Sequence, residues 1–124
     1  MPDSTILVVD DDPVIQKLLE VNFTIEGYAV EVAGDGAEAV EKARAVSPDL
    51  IVLDVMMPKM NGLEAAKVLK GDPATASIPI IMLSAKAQDI DQEAGREAGV
   101  NFYMTKPFDP LELLDKAAEL IKGS

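Results

Sequence analysis

Apolar runs bounded by turn residues alternate along the chain with longer stretches of helical period, and the alternation repeats five times without a break in composition. The runs are TILVVD (5–10), YAVEVA (28–33), LIVLD (50–54), PIIMLS (79–84) and FYMTK (102–106). Between and after them the spacing predicts helices over about 13–26, 36–46, 62–70, 89–98 and 110–122. Strand and helix therefore alternate as (βα)₅.

Three of the runs are nearly continuous in Val, Ile and Leu, as central parallel strands covered on both faces must be. YAVEVA instead alternates, with Glu31 on one side, and reads as an edge strand. Right-handed crossovers then give an α/β fold with an open, doubly wound parallel sheet of the flavodoxin-like kind, strand order 2-1-3-4-5. Local punctuation agrees. Asp12 before Pro13 is an N-cap followed by proline at the first helical position, and Gly27 and Gly99 stand where a left-handed cap residue is wanted. GDPATASIP (71–79) reads as the one longer irregular connection. In the last helix, Leu111, Leu114, Ala118 and Ile121 form a stripe expected to face the core. A second stripe, Leu113, Ala117 and Leu120, reads as a widening of that arc, with a partner or dimer surface as the alternative.

Length and charge narrow the picture. A chain of 124 residues suits one domain spanning residues 1–124, and 48% hydrophobic with 27% charged residues suits a folded one. With 22 acidic against 11 basic side chains the formal charge is −11, which repels phosphate backbones and anionic membranes. Neither nucleic acid nor membrane is expected as a direct partner. No run approaches the roughly 18 apolar residues of a membrane span, and the N-terminus has no basic start, so a cytoplasmic setting is the expectation. Cysteine and histidine are both absent. That excludes thiolate nucleophiles, imidazole bases, HExxH zinc sites and His-based triads. Any chemistry rests on carboxylates, hydroxyls, lysine and backbone.

In an open α/β sheet, ligands bind beyond the carboxyl ends of the strands, where strand order reverses. Strand one ends there in Asp10 and Asp11, strand three in Asp54, strand four in Ser84 and strand five in Lys106. Helix capping accounts for Asp12 and leaves the other three acids without a structural task. Gathering three carboxylates costs free energy through like-charge repulsion and desolvation, which a hard divalent cation offsets. Mg²⁺ takes oxygen ligands, commonly one or two carboxylates with waters, and keeps positions for phosphate oxygens. A carboxylate nucleophile, such a metal, a lysine and a hydroxyl together suit phosphoryl transfer through an acyl phosphate. Asp54 is the candidate nucleophile, and Asp10, Asp11 and Asp54 together are the candidate metal ligands. For Lys106, between an apolar strand and Pro107, a site role outweighs that of a solvated surface lysine; Ser84 reads equally as a cap or turn residue.

The segments VVDDDP, LIVLDVMMPKMNG, IIMLSA and YMTKPF, in this order and spacing, resemble the receiver domain of two-component response regulators, including single-domain chemotaxis regulators. The likeness spans about Thr5 to Lys122. It implies that Asp54 is the phosphoacceptor, that Asp10 and Asp11 bind Mg²⁺, and that the backbone carbonyl of Met56 adds a ligand. By the same resemblance Lys106 contacts the phosphoryl group, the Ser84 hydroxyl moves to it after transfer, and Tyr103 swings inward as the switch aromatic. Tyr103 also fits plain core packing, and Phe102 and Tyr103 should point to opposite faces of the sheet. The Lys106–Pro107 bond would be cis, and Met56 and Lys86 would tune the rate of self-dephosphorylation.

What the resemblance implies as function is a switch in place of an enzyme with external substrates. A histidine kinase or phosphotransfer protein donates to Asp54, and the face built by the helix at 89–98, strand five and the last helix changes its affinity for a downstream protein target. Monomer and phosphorylation-dependent dimer both fit. The rival is a small aspartate-nucleophile phosphohydrolase on a related fold; dehalogenase-type phosphatases carry a second acid two residues past the nucleophile, where this chain has Met56. A nucleotide- or flavin-binding module is disfavoured, because no glycine-rich phosphate loop follows strand one.

Overall fold

The computed structural model describes residues 4–54, 62–84, 99–105 and 109–123. Five parallel strands, β1 (Thr5–Val9), β2 (Ala29–Ala33), β3 (Leu50–Asp54), β4 (Ile80–Ser84) and β5 (Phe102–Thr105), form one sheet in the order β2-β1-β3-β4-β5. The described helices are α1 (Pro13–Ile25), α2 (Gly36–Val46), α3 (Gly62–Lys70) and α4 (Pro110–Gly123). The helix expected at 89–98 lies outside the described residues.

Alternation along the central strands divides the core in two. Leu7, Val9, Ile51, Leu53, Ile80 and Met82 face α2 and α3, joined by partly buried Tyr103. Ile6, Val8, Leu50, Val52, Ile81 and Leu83 face α1 and α4, joined by partly buried Phe102. Phe102 and Tyr103 thus point to opposite faces, as a period of two requires. Every residue of β3 is buried, whereas β2 exposes Ala29 and Glu31 and forms the sheet edge.

Cap chemistry sets the helix ends. The Asp12 side chain accepts the Val14 N–H at 2.9 Å, with Pro13 opening α1. At its other end Gly27 adopts φ +95°, the Gly27 and Tyr28 N–H groups donate to the Thr24 and Phe23 carbonyls, and the Tyr28 ring meets Phe23 edge-on at 5.9 Å. This is a complete Schellman cap with its apolar contact. Asp35 caps α2 by accepting from Glu38 N–H, while Glu38 Oε1 accepts from Gly34 N–H, both at 2.8 Å.

The last helix differs from expectation. Leu113 and Ala117 are buried, Leu114, Leu120 and Ile121 pack partly buried against the same core, and Leu111 is 70% exposed. The stripe read as secondary is therefore the centre of the buried arc. At 100° per residue Leu111 lies more than a quarter-turn from that centre, so it cannot share the core contact. Among the described residues, no helix is long and apolar enough to cross a membrane.

Candidate metal centre

Asp10 follows β1 and leaves the sheet in a fully specified backbone. Its N–H donates to the Ala33 carbonyl at 3.2 Å, extending the pairing with β2 by one residue. Its carbonyl accepts from Gln16 Nε2 in the first turns of α1. Its carboxylate Oδ1 accepts from the Asp12 N–H at 2.9 Å. With 1% exposure, Asp10 is a buried acid whose orientation is set from three sides.

Asp54 ends β3 and is 5% exposed. Since β1 and β3 pair in register Val9 with Leu53, Asp10 and Asp54 are neighbours at adjoining strand ends. Asp11 is exposed on the rim. One carboxylate oxygen from each of Asp10, Asp11 and Asp54 lies within 4.8 Å of the others. Three hard oxygen donors brought together from two strands fit a hard dication.

Ser84 ends β4, one residue beyond Leu83, the register partner of Asp54, and is itself paired with Thr105 at the end of β5. Ser84 is thus on the same sheet edge as the acids. Tyr103 lies farther back on β5, half-buried against the α2/α3 face of the core. Met56, Lys86, Lys106 and Pro107 are outside the described residues.

The sequence from residue 6 to 118 matches the family model for the response regulator receiver domain. The chain belongs to that family. Among curated relatives, the alkaline phosphatase synthesis transcriptional regulatory protein PhoP of Bacillus subtilis is 45% identical over 119 residues, covering 96% of this chain and 49% of its own length. This receiver chain spans about half the length of the curated relatives it matches. The chemotaxis protein CheY4 of Vibrio cholerae superposes with a TM-score of 0.89 at 32% identity, over 95% of this chain and 98% of that one. The receiver domain of sensor histidine kinase PA1611 from Pseudomonas aeruginosa, solved with magnesium in its active site cleft, gives a TM-score of 0.89 at 34% identity, covering 98% and 99%.

Sequence reasoning missed one feature of this receiver's site and one helix cap. Gln16 as partner of the Asp10 carbonyl follows no spacing rule, because the contact depends on how the chain turns between β1 and α1. The Asp35/Glu38 cap of α2 had a legible signal, an N-cap acid with Glu three residues on.

Proposed function

We propose that this receiver is a phosphorylation switch in which Asp54 accepts a phosphoryl group at a Mg²⁺ site formed with Asp10 and Asp11. The observation that carries the reading is the convergence of these three carboxylates at the paired ends of β1 and β3. Bound Mg²⁺ supplies charge neutralisation for the phosphoryl oxygens. An Asp54 oxygen attacks phosphorus as the bond to the donor imidazole nitrogen breaks, leaving the histidine on the donor and an acyl phosphate on this chain. Asp10, fixed at its N–H, carbonyl and carboxylate, and Asp11 on the rim hold the ion.

Lys106 follows β5 in sequence and is assigned the phosphoryl contact; the Met56 carbonyl is assigned as a further ligand. Ser84, on the acceptor's own sheet edge, takes the hydroxyl role, and Tyr103 the coupled aromatic switch on the face of residues 89–98, β5 and α4. The donor is a histidine kinase or phosphotransfer protein. The exposed apolar row Val14, Leu18, Val21 and Ile25 on α1 begins three residues past Asp11 and gives such a protein contact area beside the acids. Residues 1–124 act as one receiver unit whose output is a changed affinity for a protein target.

Intact-mass spectrometry after incubation with acetyl phosphate tests this reading. One Mg²⁺-dependent phosphoryl adduct, absent from Asp54→Asn, is the expected result. No adduct in the parent with Mg²⁺ present would refute it.

A further inference from the structure

Resting on the metal-site reading above, we infer that Gln16 is a positioning residue for the metal centre: by holding the Asp10 carbonyl it fixes the peptide plane that joins the two acids at the end of β1. The Asp10 carbonyl lies past the last β1 residue, and Asp10 is 1% exposed. A buried carbonyl there requires a partner. Gln16 Nε2 supplies it from α1, whose own start is fixed by the Asp12 cap and by the Gln16 N–H donating to the Asp12 carbonyl at 3.0 Å.

The consequence follows from peptide planarity. The Asp10 carbonyl, the Asp11 nitrogen and both α-carbons share one plane, so holding the carbonyl holds the Cα–C bond of Asp10 and the N–Cα bond of Asp11, the axes from which the two side chains depart. Asp10 has further restraints in the Ala33 and Asp12 hydrogen bonds. Asp11 is exposed, and its direction depends more heavily on that plane. Without the amide donor the plane loses this restraint, and the three carboxylates are held less closely to one point. Gln16 touches no carboxylate of the cluster through this bond; it acts through Asp10 and Asp11. A side chain that only filled space at this half-buried position could be replaced by one of similar length without effect on the ion.

Isothermal titration of the intact chain with MgCl₂ decides the matter, with melting temperatures taken without Mg²⁺ as a control for folding. Gln16→Met keeps length and removes the donor; Gln16→His, titrated at about pH 8 where imidazole is neutral, changes the side chain and keeps an uncharged donor. Orienting partners of this kind are worth about tenfold to a hundredfold in metal affinity. Gln16→Met should therefore weaken Mg²⁺ binding by about tenfold, while Gln16→His stays near the parent. Equal affinity in Gln16→Met and parent would overturn the inference, and so would equal weakening in both variants, which would mark a packing role. Either of those leaves the metal site standing if Asp10→Asn still weakens binding by at least about tenfold. A parent that binds no Mg²⁺ would overturn this inference and the metal-site reading together.

Discussion

Acids occupy both ends of the sheet, and they are handled in opposite ways. At the amino-terminal edge, Asp72 in the connection before β4 accepts from Arg44 Nε at 2.6 Å and from the Ala74 N–H at 2.9 Å. The Ala74 N–H first, and the Arg44 guanidinium after it, hold its carboxyl below the usual carboxylate range. At the carboxyl-terminal edge, Asp10, Asp11 and Asp54 bring oxygens within 4.8 Å of one another, so each has two carboxylates as near neighbours. A fold that can neutralise an acid with arginine at one edge has grouped acids with acids at the other. The first arrangement is satisfied within the protein, and the second is the one that the proposed cation would complete.

The largest effect should come from the acceptor itself. Asp54→Asn retains shape and removes the nucleophilic charge, so acyl phosphate formation should fall to background; circular dichroism should show the fold intact.

Next in size is the metal. Asp10→Asn preserves an oxygen that can accept the Asp12 N–H but deletes a charge from the cluster. Calorimetry should show Mg²⁺ affinity reduced by at least about tenfold, since outer partners of a site alone are worth that much.

Stability without metal gives the contrast its sharpest form, because neutralising an acid should have opposite signs at the two edges. Two unit charges about 4.8 Å apart repel by about 1 kcal/mol in a water-like medium. Chemical denaturation in EDTA should therefore find Asp11→Asn more stable than the parent by up to about 1 kcal/mol, and adding Mg²⁺ should erase or reverse the gain. Destabilisation by Asp11→Asn in EDTA would mean that the acids are not in repulsive contact.

Asp72→Asn should do the reverse, lowering stability slightly with no effect on phosphorylation. The folded-state pKa of Asp72 lies below its unfolded value. Its stabilisation is then complete above the unfolded value and is lost as pH falls through the folded one. The difference between parent and Asp72→Asn in thermal melts should hold at pH 7 and shrink below about pH 4.

Most of the frame was legible in the chain because its signals are local. LIVLD, GAEAVEKARAV and GLEAAKVLK match β3, α2 and α3 residue for residue, since each is bounded by a residue whose chemistry ends the element. Edge placement of β2 followed from Glu31, and strand order from the handedness of crossovers. The acids at strand ends were legible too, because topology places every strand end on one edge. Long-range detail was not. The Gln16 hold on the Asp10 carbonyl depends on the turn between strand and helix, and the buried centre of α4 on how that helix rotates against Ile81 and Leu83. Periodicity supplied two stripes there, and the one containing Leu111 was ranked first although the buried centre is Leu113 and Ala117.

The most direct measurement locates the phosphoryl group chemically. The parent, phosphorylated by acetyl phosphate with Mg²⁺, is reduced with borohydride, which converts an aspartyl phosphate to homoserine, and its peptides are mapped by mass spectrometry. Homoserine at position 54, and not in samples prepared with EDTA, is the predicted result. Homoserine at position 10 or 11, or phosphate retained on a hydroxyl such as that of Ser84, would contradict the account.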